Sequence, residues 1–97
     1  MNIIELIDTE CENIKALLIA KNKAYGNSFA EPANIFCKLS AEEQINVRID
    51  DKLNRIAKGR QTEDVQEDTI ADLIGYLVLL RVLKKIKGEQ CSRGNIL

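Results

Sequence analysis

The sequence contains no histidine and no tryptophan. Without an imidazole the chain cannot supply a Ser-His-Asp or Cys-His nucleophile, nor imidazole acid–base chemistry near neutral pH. One proline and five glycines in 97 residues leave little turn punctuation, and no period-two alternation marks a strand. No apolar run approaches the length of a membrane-spanning helix, and no signal-peptide pattern opens the chain, so no membrane association is expected. Three cysteines, Cys11, Cys37 and Cys91, are too scattered for a zinc knuckle. Their odd number argues against a closed disulfide set, and a reducing cytoplasm is the expected setting. Any bound metal would then rest on carboxylates, which favours Mg²⁺ or Mn²⁺. Fourteen basic residues stand against fifteen acidic ones, a net charge of -1 that weighs against general nucleic-acid binding.

What is present is helical periodicity. The length suits one domain, expected over residues 1–88, with a flexible tail over 89–97. The spacing predicts a first helix from about Asn2 to Ala24, with Ile3, Ile7, Ile14 and Leu18 on its apolar face. Gly26 and Asn27 suit the left-handed conformation that ends it. In the following connection, Glu31-Pro32 could open a short helical turn. Ser40 followed by Glu43 has the pattern of a capping box. It starts a second helix whose Ile45, Ile49, Leu53 and Ile56 share a narrow arc and which Gly59 stops. A third helix is expected from a Thr62 or Asp64 cap to about Lys87, with acids in its first turns and Arg81, Lys84, Lys85 and Lys87 in its last. Between Leu73 and Leu83 this helix is apolar on nearly every side. Three helices cannot surround it within one small chain, so the expected fold is an all-α bundle of three main helices completed by homo-oligomerisation, as a dimer or larger, with this segment at the subunit contact.

The informative positions are charges at the apolar faces. Glu10 projects into the Ile3, Ile7, Ile14, Leu17 stripe, and Lys21 and Tyr25 continue that face. A carboxylate there needs a partner. It can pair with a basic group of another helix, reach solvent at an edge, or contact a ligand or metal. Arg48, Asp51, Lys52 and Arg55 occupy an arc of roughly 100° beside the apolar stripe of the second helix. Asp51 and Arg55 can pair at i,i+4, which leaves Arg48 and Lys52 as cations suited to phosphate oxygens. Asp68, Asp72 and Tyr76 fall at i, i+4 and i+8 on the third helix. The two carboxylates can hold a hard cation or neutralise Arg55 and Lys52 across the helix pair.

Three segments carry a resemblance. Lys21 to Phe29 (KNKAYGNSF) resembles the K-x-x-x-Y-G-x-S-F segment of a group of small phage and bacterial proteins. Val47 to Ile56 (VRIDDKLNRI) looks like their R-x-x-D-K-L-x-R helix, and Glu67 to Tyr76 (EDTIADLIGY) like their E-D-T-x-x-D-L-x-G-Y helix. That group is in turn similar to the MazG-like all-α nucleoside triphosphate pyrophosphohydrolases. These are oligomers that hold Mg²⁺ on an E-E-x-x-E helix and an E-x-x-D helix and release pyrophosphate. The resemblance implies a MazG-like bundle with Asp72 at the family's Asp. Two other expected ligand positions fall on Asn54 and Thr69, and Lys52 and Arg55 add positive charge.

Three functions compete on this reading. The first is nucleotide binding without efficient hydrolysis: Arg48, Lys52 and Lys21 contact phosphate, Tyr25 stacks on a base or caps the pocket, Asp68 and Asp72 orient the cations or bind a sugar hydroxyl or a weakly held Mg²⁺, and Arg55 and Tyr76 complete the ligand-binding set. The ligand would be a nucleotide or another phosphate-bearing small molecule, and sequestering a nucleotide or nucleotide signal is one use of such a site. The second is Mg²⁺-dependent pyrophosphohydrolysis on Asp51, Glu67, Asp68, Asp72 and Glu10, since metal must offset phosphate charge and activate water. The third is a helical interaction module in which the same charges pair with one another.

Overall fold

The computed structural model describes residues 2–59, 63–64 and 67–94. Three helices dominate it: α1 (Ile3–Tyr25), α2 (Ala41–Ala57) and α3 (Thr69–Gly94). Two short strands, β1 (Glu63–Asp64) and β2 (Glu67–Asp68), pair antiparallel just before α3, with Glu63 opposite Asp68. The chain is therefore all-α apart from this two-residue ladder.

Local chemistry sets the helix ends. The Asn2 side chain accepts from the Glu5 backbone N–H at 2.8 Å, satisfying one of the unpaired donors at the start of α1. Gly26, at φ 64°, takes the positive φ that ends α1, a conformation open to glycine at little cost. The next turn forms at Asn27–Glu31, where the Asn27 carbonyl accepts from the Ala30 and Glu31 N–H groups. It closes before Pro32 rather than opening at Glu31-Pro32. At α2 the capping box is complete: Glu43 N–H donates to Ser40 Oγ, and Ser40 N–H donates to Glu43 Oε1, both at 3.1 Å. Gly59, at φ 67°, ends it.

The start of α3 differs from the sequence expectation. Asp64 lies in β1, so it does not cap the helix, and Thr62 lies outside the described residues. Asp68 is the cap, its Oδ1 accepting from the Ala71 N–H at 3.0 Å. The run of acids before it reads as a helical first turn, but residues 63–64 pair antiparallel with 67–68 instead. At the other end the helix continues past Lys87 to Gly94, and residues 95–97 lie outside the described residues.

α2 and α3 form the main packing unit. Ile45 and Leu83 are the buried apolar side chains among the described residues. At one end Glu42 on α2 receives Lys87 at 2.8 Å and Lys84 at 3.9 Å, both from α3. Lys84 and Lys87 thus tie two helices rather than only complementing a dipole. α1 crosses α3 where Gly75 admits it: a Cβ there would meet Leu18 Cδ2 at 3.2 Å. Only the C-terminal half of α1 makes this contact. Residues 2–13 are exposed throughout, Ile3 at 74% and Ile7 at 58%.

Thr69 is fully buried, and its Oγ1 has no hydrogen-bond partner. Such a hydroxyl loses its hydration without a replacement, so Thr69→Val should leave stability unchanged or raise it by about 1 kcal/mol in urea denaturation. The carboxyls of Glu42 and Glu43 are both held below their ordinary value of 4.5, Glu42 by its hydrogen bond to Lys87 and Glu43 by its hydrogen bonds with Ser40. A lowered folded pKa gives stability that is present above the ordinary value and lost as pH falls through the folded one. The urea midpoint should therefore drop below pH 4.5, and the drop should shrink in Glu42→Gln/Glu43→Gln.

Candidate functional site

A cavity of about 450 Å³ opens where the three helices meet. α1 contributes Lys21 and Tyr25, α2 contributes Gln44 and Arg48, and α3 contributes Asp72, Gly75 and Tyr76. Ser28 and Phe29, from the turn after α1, close one side. The crossing at Gly75 makes the space: the absent side chain lets α1 approach, and the larger residues on either side hold the walls apart.

Asp72 is the polar hub. Lys52 Nζ lies 3.3 Å from its Oδ2 and Lys21 Nζ lies 3.9 Å from its Oδ1. One carboxylate thus receives an ammonium from each of the other two helices. Lys52 is nearly buried, its side chain 11% exposed, and that of Asp72 is 21% exposed. This corrects the face assigned to α2. Lys52 falls on the same side as Ile45 and Ile56 and points inward, while Leu53 turns out to solvent at 49% exposure. Lysine's aliphatic stem can pack among apolar neighbours while its ammonium reaches a carboxylate, and Asp72 is placed to receive it.

The eleven residues singled out from the sequence divide accordingly, with the side chain of Glu67 outside the described residues. Lys21, Tyr25, Arg48, Asp72 and Tyr76 line the cavity. Lys52 supports it through Asp72 rather than lining it. Arg55 Nε lies 3.3 Å from Asp51 Oδ2 one turn along α2, as their spacing allows. Asp68 is taken up by the α3 cap. Glu10 is exposed on the half of α1 that none of the described residues covers, and it does not line the cavity with Asp72. Four cavity residues had no role in the sequence reading: Asn22, Ser28, Phe29 and Gln44. Ser28 and Phe29 fall inside the segment Lys21 to Phe29 that carries the resemblance; Gln44 gave no signal beyond preceding Ile45.

The carboxylates of the described residues do not gather into a Mg²⁺ site. Hard cations need several oxygen ligands converging on one point. Among the described residues no group of three or more Asp, Glu or Cys side chains converges in this way. Asp72 already faces two ammonium groups, Asp51 faces Arg55, and Asp68 faces the backbone.

The cavity's charge is accordingly positive. Its one acid is matched by Lys52 from below, and Lys21 and Arg48 remain at the walls. Arg48 forms no ion pair among the described residues, whereas Lys21 shares Asp72. Comparison with known protein families, curated proteins and solved structures finds no match.

If Asp72 is the hub, its loss should cost more than the loss of either lysine. Asp72→Ala removes the carboxylate that Lys52, 11% exposed, and the half-exposed Lys21 share, and should destabilise by about 2 kcal/mol. Lys52→Met keeps the stem's packing and leaves Lys21 on Asp72, so about 1 kcal/mol or less is expected. Urea unfolding of the two variants at pH 7 measures the difference, and equal costs would contradict this hierarchy.

Proposed function

We propose that this chain is a nucleotide-binding protein of MazG-like helical architecture, assembled as a homo-oligomer, that holds phosphate groups without efficient hydrolysis. The observation that carries the reading is the charge of the cavity. Among the described residues its lining holds two cations, Arg48 and Lys21, and one carboxylate, Asp72, which Lys52 faces at 3.3 Å and Lys21 at 3.9 Å. A neutral or cationic ligand gains nothing from that arrangement; an anion does. Arg48 offers a planar pair of donors to phosphate oxygens and Lys21 a mobile point charge.

The remaining walls suit the rest of a nucleotide. Tyr25, Phe29 and Tyr76 bring aromatic rings to the cavity, and Ser28, Asn22 and Gln44 bring hydrogen-bonding groups. Ring faces can stack on a base, and amide and hydroxyl groups can reach its edge or the sugar. The volume, about 450 Å³, lies within the ordinary range for small-ligand sites. The charge on the phosphates is offset here by side chains, so binding does not depend on divalent metal. The one carboxylate among the described residues of the cavity, Asp72, faces Lys52 at 3.3 Å and Lys21 at 3.9 Å, which disfavours it as a base toward water. Such a site retains its ligand rather than consuming it, which fits sequestration of a nucleotide or nucleotide signal.

Isothermal titration calorimetry with linear and cyclic nucleotides, run in EDTA and again in Mg²⁺, tests the reading. Saturable binding in the micromolar range is expected with at least one of them in EDTA, about -8 kcal/mol. The double variant Lys21→Ala/Arg48→Ala should weaken it roughly 100-fold, two charge-assisted contacts being lost. No binding to any nucleotide in either buffer would overturn the proposal. Release of pyrophosphate in Mg²⁺ or Mn²⁺ that disappears in Asp72→Asn would replace it with pyrophosphohydrolysis.

A further inference from the structure

The chain exposes more surface than a folded monomer of its mass should. Its accessible area is 7854 Å², against about 5,600 Å² for a compact monomer of this size. Its radius of gyration is 15.7 Å, against about 12.5 Å. The excess, on the order of 2,000 Å², exceeds the ~800 Å² per partner of an ordinary stable interface. Two of the surfaces responsible are complementary. One is the N-terminal half of α1, where Ile3, Ile4 and Ile7 are exposed. Its charged residues before Lys15 are all acids: Glu5, Asp8, Glu10 and Glu12.

The other is an open groove of about 770 Å³ between α1, the turn after it and the C-terminal half of α3. Its floor is apolar, with Leu18, Phe29, Val78, Val82 and Ile86, and three lysines line it, Lys15, Lys23 and Lys87, against one acid, Glu31. Lys87 also holds Glu42 and Lys15 lies near Glu12 of its own helix, so Lys23 is the cation the fold leaves least engaged. An acidic, apolar helix end matches a basic-rimmed apolar groove in both hydrophobicity and sign. The lengths agree too: Ile3 to Cys11 and Val78 to Ile86 are each eight helical steps, about 12 Å.

We propose that the N-terminal half of α1 docks in the Val78–Ile86 groove of a second copy of this chain, reciprocally, to give a two-fold dimer. The contact buries the face of α1 that its own chain leaves in water, and it places Glu10 among the partner's groove lysines. A two-fold arrangement repeats the contact and closes the assembly at two. The proposal rests on exposed surface and charge, not on the nucleotide reading, and survives if no nucleotide binds.

Analytical ultracentrifugation of the intact chain decides it. A dimer of twice 10.9 kDa is expected. Ile3→Asp/Ile7→Asp should weaken dimerisation at least 100-fold, and far-UV circular dichroism should show the helices retained. Lys15→Glu/Lys23→Glu should also weaken it, and adding Glu5→Lys/Asp8→Lys/Glu10→Lys to that variant should restore it, which misfolding cannot mimic. Ile70→Lys/Leu77→Lys, on the outer face of α3, should leave the dimer intact. A monomer at all concentrations, a dimer indifferent to the α1 variants, or one lost with the outer-face variant would each overturn the proposal.

Discussion

The carboxylate of Asp72 is the point on which the three helices agree. Lys52 reaches it from α2 and Lys21 from α1, so the same side chain fixes how α2 lies on α3 and where α1 crosses. The arrangement is a constraint as much as a source of stability. Ion pairs in partly dry surroundings gain little net free energy over apolar substitutes, because both partners lose hydration. Losing the carboxylate, however, takes a partner from Lys21 and Lys52 at once. The registers in which α1 and α2 can pack on α3 are therefore few, and the cavity above Asp72 takes its shape from that choice.

Around this hub the division of labour is clear. α2 and α3 carry the small apolar core at Ile45 and Leu83, together with the Glu42–Lys87 tie at the far end. α1 adds little buried surface but supplies the cavity's Lys21 and Tyr25. Structure and function are thus unequally shared: the pair that holds the fold together contributes Arg48, Asp72 and Tyr76 to the site, and the loosely held helix completes it. Electrostatically the cavity differs from a carboxylate-rich metal centre of the kind the MazG-like resemblance implies, since its acid is already matched by cations from the same chain.

Much of this was legible before any coordinates. The Ser40–Glu43 box, the stops at Gly26 and Gly59, and the all-α class follow from local rules that tertiary packing did not override. Five of the eleven residues singled out line one cavity, three charges and two tyrosines that border the apolar faces. The failures have equally physical causes. Periodicity shows that Ile3 and Ile7 form an apolar face with Glu10 among them, but not whether the rest of the chain covers that face, and none of the described residues does. The arc of α2 was read one residue off, since hydropathy cannot foresee that Lys52 would turn inward toward Asp72 and leave Leu53 outside. The acids from Glu63 to Asp68 look like a helical first turn by composition; the backbone pairing that delays α3 to Thr69 depends on a hairpin that no charge pattern announces.

The crossing of α1 over Gly75 has a kinetic meaning. Leu18 on Gly75 and Lys21 on Asp72 are the fastenings between α1 and α3 that border the cavity, and they sit within one helical turn of each other. Hinging there would lift Tyr25 and Lys21 away together, so the entrance to the pocket and the weakest joint of the tertiary structure coincide. A molecule held inside would act as a latch on its own door, slowing the undocking of α1 in proportion to how tightly it is bound.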